Sequence, residues 1–300
     1  MDSLTHALVA AILAYVLGFP QLLPFAVLGT VIIDTDVLFP LISDRQPSLY
    51  LFTHGGIAHS LAGAVVLSVI AFAGMNLAVL AGLIDPAVLV RAGAAGFAAV
   101  LAGAFLHIGL DLPACPGIPL LAPVSDRKYA LCVLPGPSLL LMATSLFFLI
   151  WMALGMVTLA GGMSAYAAIF GAFMFVRVIA YLVAHTHLAG AGRAVPTINP
   201  LRWLVIGETA DAWTVRDYRI GIGMSESVNY PKFRKTSPDE IVPYLALPEV
   251  RRLRYHSYIM TAEKEGDAII FSDPLRVSGR IFYPPHFRQI VMSSASRLPV

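Results

Sequence analysis

The chain alternates between long apolar stretches and short polar breaks for its first 190 residues, then changes character. Four stretches, about 57–84, 88–111, 137–160 and 163–188, are long and apolar enough to cross a membrane, which takes about 20 such residues. Two shorter ones, about 4–19 and 22–39, precede them and are separated by Pro20. Six spans are expected, with a re-entrant or partly inserted first pair as the alternative. Beyond residue 190 the period shortens. Trp213–Ile220 alternates like a strand,. Ser237-Pro-Asp-Glu240 reads as a helix start, with Ser237 as cap and Glu240 three residues on,. Arg254–Thr261 and Ala268–Ser272 flank a Gly-containing loop and read as a hairpin,. The fold class is therefore mainly α: a polytopic helical membrane bundle over 1–190, followed by a small soluble α+β or mainly β domain over 191–300. No internal repeat interrupts this division.

Composition sharpens it. The 300 residues are 58% hydrophobic and 13% charged, against about 25% charged in a soluble domain. Residues 1–190 hold only five of the 20 Lys and Arg, namely Arg45, Arg91, Arg127, Lys128 and Arg177, and no Glu. A net charge of +2 gives no footing for nucleic acid,. In a six-span chain, loops 40–56 and 112–136 share a side with the basic tail. The positive-inside rule makes that side, and both termini, cytoplasmic in the plasma membrane. The N-terminus lacks the basic region of a cleaved signal. Cys115 and Cys132 could form a disulfide or hold part of a metal site, but with no C-x-x-C spacing and a loop read as cytoplasmic they are expected to be free thiols,.

Chemistry gathers at one face. His6, His54, His59, His107, His185 and His187 all fall at helix ends on the tail's side, as do Asp34, Asp36 and Asp111. Ionisable groups at membrane depth are costly and usually functional. His107 and Asp111 are four apart, on one helix face. Asp34 and Asp36 end an apolar run where an irregular turn can aim both at one point. His54 and His59 flank a Gly-Gly step, and His6 opens the first helix. A lone interfacial histidine is usually just solvated, but several His and Asp together suit Zn²⁺, Mn²⁺ or Fe²⁺ better than Mg²⁺. The candidate ligands are His6, Asp34, Asp36, His54, His59, His107 and Asp111, more than one tetrahedral zinc takes. Two or more ions bridged by carboxylate fit that number, and paired ions suit phosphoryl displacement. The catalytic candidates are Asp36, His59 and Arg177. Arg177 shares a helix stripe with Tyr181 and His185, and reads either as a phosphate binder or as an arginine satisfied by Asp or carbonyls. One of His185 and His187 is a further candidate. His256 and His286 read as surface histidines. Asn199–Trp203 reads as a membrane-docking segment.

These residues resemble the YdjM/DUF457 family of membrane-bound, predicted metal-dependent hydrolases. The resemblance lies in Met1-Asp-Ser-Leu-Thr-His6, in Gly29-Thr-Val-Ile-Ile-Asp34-Thr-Asp36, in His54-Gly-Gly-Ile-Ala-His59-Ser60, and in His107-x-x-x-Asp111 with Gly117–Pro123. Asp273-Pro-Leu-Arg276 is similar to a weaker element of some members. Ile33, Thr35, Gly55 and Ala58 depart from the family pattern without removing a ligand type. The resemblance implies the same seven site residues. A looser similarity, through the His-x-x-x-Asp pair, is to the zinc-dependent phospholipase C and P1 nuclease group. That group also uses a Glu ligand, and here the first Glu is Glu208.

The expected function is a metal-dependent hydrolase of a phosphate ester, such as a phospholipid or polyprenyl phosphate, at the cytoplasmic face. Two alternatives stand beside it: a regulatory membrane protein with a structural metal site and a partner-binding tail, and a metal transporter. Transporter sites usually lie at the bilayer midplane, whereas these ligands lie at one end.

Overall fold

The computed structural model describes residues 1–188, 190–281 and 288–293, with the side chains of residues 90–92 excepted. His286 and the side chain of Arg91 therefore lie outside the described residues. The chain forms two compact units. One comprises residues 1–42, 51–131 and 137–176, and the other residues 43–50, 132–136 and 177–300.

The first unit is helical. Helix α1 (Ser3–Val16) begins at Asp2, whose carboxylate accepts the Thr5 N–H as an N-cap,. Helix α2 (Leu23–Ile33) runs into a 3₁₀ turn, Asp34–Leu38, and a short α3 (Pro40–Ser43). Helices α4 (Leu61–Leu80), α5 (Pro86–Asp111), α6 (Leu139–Ala153) and α7 (Leu159–Leu188) follow. Among the described residues four helical segments are long and apolar enough to cross a membrane: Pro20–Ser43, Leu61–Leu80, Gly93–Asp111 and Leu159–Leu188. Helices α1 and α6 are apolar but only 14 and 15 residues long. The sequence overestimates α6, because the apolar run 137–160 includes turn residues around Gly155 that hydropathy cannot tell from helix.

Two glycines set how the site-bearing helices meet. A Cβ on Gly29 of α2 would lie 1.9 Å from the Val100 carbonyl oxygen, and one on Gly103 of α5 would lie 2.1 Å from that of Ala26. The backbones touch where these side chains are missing, the small-residue packing typical of membrane helices. Phe25, Val100 and Ala71 close the seam on one side, and Ile33, Ala104, Ala64 and Ile108 on the other. A hydroxyl chain ties in α1: Thr5 Oγ1 lies 3.0 Å from Ser145 Oγ of α6, which lies 2.7 Å from the Tyr166 hydroxyl of α7.

The second unit carries two sheets. Strands β1 (Arg193–Pro196), β2 (Arg202–Glu208), β3 (Ala212–Arg219) and β4 (Gly223–Met224) are antiparallel neighbours in that order, and β5 (Val228–Pro231) pairs with β3. In the second sheet β6 (Phe233–Arg234) runs parallel to β7 (Thr261–Glu265), which pairs antiparallel with β8 (Ala268–Ser272), and β8 with β9 (Gln289–Ser293). Helices α8 (Pro238–Leu245), α9 (Pro248–His256) and α10 (Pro274–Val277) complete it. The Ser237–Glu240 capping box has both of its hydrogen bonds. The expected hairpin is present but shorter, because Arg254–His256 ends α9 rather than starting a strand. Tyr244, Val250, Leu253 and Phe271 form the core beneath the second sheet.

Three local expectations are corrected. His256 is buried rather than a surface residue, because the amphipathic face of α9 carries it into the interior with Val250 and Leu253. Trp203, expected at a membrane interface, is buried at the start of β2, with its indole N–H on the Pro200 carbonyl. Cys115 and Cys132 are both disulfide-bonded rather than free thiols. Disulfides persist in oxidising compartments, so this bonding disagrees with a cytoplasmic loop 112–136.

Candidate metal centre

Four elements of the first unit deliver polar side chains to one place. The N-terminal turn of α1 brings Ser3 and His6. The 3₁₀ turn after α2 brings Asp34 and Asp36. The loop before α4 brings His54 and His59, and the last turns of α5 bring His107 and Asp111. Because Gly29 and Gly103 seat α2 against α5, the ends of these two helices arrive side by side. His107 Nδ1 then donates to the Thr30 carbonyl of α2 at 2.7 Å.

The bonds made at Nδ1 decide what the imidazoles present at Nε2. A carbonyl only accepts, so the proton of neutral His107 sits on Nδ1 and its Nε2 lone pair points away. His59 Nδ1 lies 2.9 Å from Asp36 Oδ2, and His54 Nδ1 lies 2.7 Å from Asp36 Oδ1. Asp36 also accepts the Gly55 N–H at 3.1 Å. A fully buried carboxylate that fixes two imidazoles is the outer-shell partner that orients histidine ligands.

The freed atoms converge. His59 Nε2 lies 3.2 Å from His107 Nε2, 3.3 Å from Asp111 Oδ2 and 3.6 Å from Asp34 Oδ1. His107 Nε2 lies 3.3 Å from Asp111 Oδ2 and 3.5 Å from Asp34 Oδ1. These are five of the six edges of a tetrahedron. A regular tetrahedron with such edges has its centre about 2.0–2.2 Å from each corner, the length of Zn–N and Zn–O bonds. Four acceptor atoms aimed at one point repel each other unless a cation or added protons lie among them. The donor set therefore fits a divalent metal ion. Of the two groups of residues able to hold a metal, Asp34, Asp36, His54 and His59 form one and His6, His107 and Asp111 the other. The quartet draws on both, so they make one centre.

The remaining oxygens face α1. Asp34 Oδ2 accepts the Ser3 hydroxyl at 2.5 Å. Asp111 Oδ1 meets the Met1 amino group and lies 3.2 Å from His6 Nε2. His6 stacks on His107 with ring centroids 3.8 Å apart. His54 stands at the rim, with 34% of its side chain exposed.

A family model described as YdjM inner membrane protein matches residues 1–188. The chain belongs to the YdjM family. No curated protein matches it, and no solved structure does. The looser likeness to the phospholipase C and P1 nuclease group thus rests on residue spacing alone. The YdjM match covers the first unit's helices and every residue of the centre, and stops at the end of α7.

All seven candidate ligands of this YdjM protein lie in the centre, in three different positions. Asp34, His59, His107 and Asp111 form the quartet, Asp36 and His54 lie behind and beside His59, and His6 packs on His107. Arg177 has a different setting. It belongs to the second unit, where its guanidinium donates to the Thr197 carbonyl at 2.9 Å and to that of Ile198 at 2.5 Å. This is the carbonyl-satisfied arginine weighed against the phosphate binder. His185 and His187 also lie in the second unit, their rings against Tyr181 and Tyr218. Ser3 and Thr30 carry no metal-ligand signal in sequence. Ser3 could have been suspected from its place between Asp2 and His6. Thr30 acts through its backbone carbonyl, which sequence does not mark.

Proposed function

We propose that this membrane protein is a metal-dependent hydrolase of a phosphate ester borne by a lipid, acting at the membrane face where the His and Asp residues gather. The observation that carries the reading is the convergence of His59 Nε2, His107 Nε2, Asp34 Oδ1 and Asp111 Oδ2, with edges of 3.2 to 3.6 Å. Those four residues would hold one ion. Asp34 and Asp111 each keep a second oxygen off the quartet, facing Ser3 and the Met1 amino group of the α1 side, and His6 lies beside that of Asp111. A second ion is therefore part of the proposal. Bound divalent ions supply Lewis-acid stabilisation of phosphoryl charge and activate water at neutral pH.

The chain's own groups have separate tasks. Asp36 orients His59 and His54 and has its oxygens engaged, so it positions rather than acts as a free base. His54, with Nδ1 on Asp36 and its ring partly exposed, is placed to take or give a proton at Nε2,. It replaces Asp36 and His59 as the proposed proton-transfer group. A lipid suits the location, because apolar helices surround a centre at their ends: a headgroup can enter while the acyl chains stay in the bilayer.

One observation favours the other reading, a regulatory protein with a structural ion. Four protein ligands around one ion is the closed pattern of structural zinc sites. The deciding experiment is metal analysis of the purified protein, followed by a phosphatase and phosphodiesterase panel on lipid substrates. The hydrolase reading expects activity that chelator removes and Zn²⁺ or Mn²⁺ restores. Bound metal without activity on any substrate would support the structural reading, and activity indifferent to chelation would overturn the metal centre's role.

A further inference from the structure

The second unit contains an arginine in the middle of an apolar helix, and what satisfies it marks a surface. Arg177 lies eleven residues before Leu188, the end of α7, or about 16 Å at the rise of an α-helix. Over that length Ala180, Ala184 and Leu188 pack against Trp203, Val205 and Tyr218 of the first sheet. At Arg177 itself the partners are the carbonyls of Thr197 and Ile198, in the loop before β2. One end of the sheet is thereby pinned at the membrane-ward end of this helix segment.

Two loops meet there. The Ile220 N–H donates to the Leu201 carbonyl at 2.9 Å, and Arg202 and Arg219 are paired across β2 and β3. The loops present Ile198, Leu201 and Ile222, which are 63%, 53% and 81% exposed. Basic residues ring them. Arg219 is exposed, and Arg202 and Arg280 both reach Asp217, at 2.8 and 3.8 Å. Beside Ile198 opens a cavity of about 320 Å³ to which Arg202 and Arg280 contribute. Helix α7 has 30 residues, about 45 Å, against a hydrocarbon core of about 30 Å. Crossing upright, such a helix leaves some ten residues outside the core. With the sheet packed on residues 180–188, the level of Arg177 falls at the boundary.

We propose that the loop tips bearing Ile198, Leu201 and Ile222 embed in the bilayer surface, where Arg202, Arg219 and Arg280 take anionic lipid headgroups. Apolar side chains within a basic collar, continuous with a membrane-spanning helix, match an interfacial lipid-binding surface. The surface is independent of the metal centre and stands or falls without it.

The test is depth-resolved fluorescence of the full chain in nanodiscs. Both native cysteines are disulfide-bonded, so Ile222→Cys can be labelled selectively with an environment-sensitive dye. Leu201→Cys is a second variant, and Asp267→Cys, in the exposed turn between β7 and β8, is the aqueous control. Labels at 222 and 201 are expected to emit blue-shifted light and to be quenched by lipids brominated high on their acyl chains, while the control is not. Raising the anionic lipid fraction should deepen the quenching, and Arg219→Gln should blunt that response. Water-like emission at both positions would overturn the proposal. So would a blue shift that brominated lipids leave unquenched, the sign of a protein partner or a second copy on this face.

Discussion

Two regions of this protein bury charge, and they do so in opposite ways. In the second unit, Asp273 accepts the backbone N–H groups of Tyr258 and Leu275, each at 3.0 Å, and lies 3.6 Å from Arg276. Arg276 donates to the His256 carbonyl, and Arg193 to that of Tyr258. Here donors face acceptors. In the candidate metal centre, potential acceptors crowd together: two imidazole Nε2 atoms stand 3.2 Å apart with a carboxylate oxygen from each of two aspartates beside them. The first arrangement is complete within the chain, as buried charges must be. The second is complete only when a cation or added protons lie among its acceptors. Buried charge by itself therefore does not point to a ligand, whereas converging acceptors suit one.

The largest contrast comes from removing one member of each set. His107→Ala should strip the tightly held metal from the purified protein and abolish chelator-sensitive hydrolysis, while circular dichroism in detergent stays helical, because apolar packing holds the helices. Metal bound at wild-type stoichiometry in this variant would break the comparison.

Asp273→Ala should do the reverse. It leaves Arg276 buried and the Tyr258 N–H without its acceptor, and breaking a buried pair costs about 3–5 kcal/mol. Limited proteolysis should cut within residues 191–281 of this variant, with metal content unchanged. Lost metal with an intact tail would show that the two regions are not separate in the way their chemistry implies.

Asp36→Asn has the smallest effect of the three and separates orientation from ligation. It keeps the shape behind His59 but weakens the carboxylate–imidazole bonds. Loss of an outer-shell partner typically lowers metal affinity about 10–100-fold. Competition with a chromophoric chelator should show weakened but measurable binding. An affinity equal to that of His107→Ala would mean that Asp36 is itself a ligand.

The helical character of the first part was open in the sequence, because about 20 uninterrupted apolar residues leave a chain few other structures in lipid. So was the chemistry of the donors: His107 and Asp111 share a helix face at any tertiary arrangement, and Asp34 and Asp36 necessarily end α2. The lengths of α1 and α6 were less legible, since hydropathy does not register where a backbone turns. In the tail, Ser237 and Glu240 announced α8 through a local capping rule, whereas the end of α9 and the burial of His256 depended on packing against β8.

Sequence by itself thus determined the element types, the apolar division of the chain and the kinds of side chain available for chemistry, because these follow from local spacing and transfer free energy. Tertiary structure decided which of those side chains share a point and which do not. Gly29 and Gly103 bring α2 and α5 into backbone contact and so place Asp34 beside His107. The Thr30 carbonyl and Asp36 turn the two imidazoles outward. Arg177, as polar and as deep in an apolar helix as any candidate, is drawn instead to the carbonyls of a loop twenty residues away in the chain. A side chain's partners are set by three-dimensional proximity, which spacing along the chain constrains only within a single helix or turn.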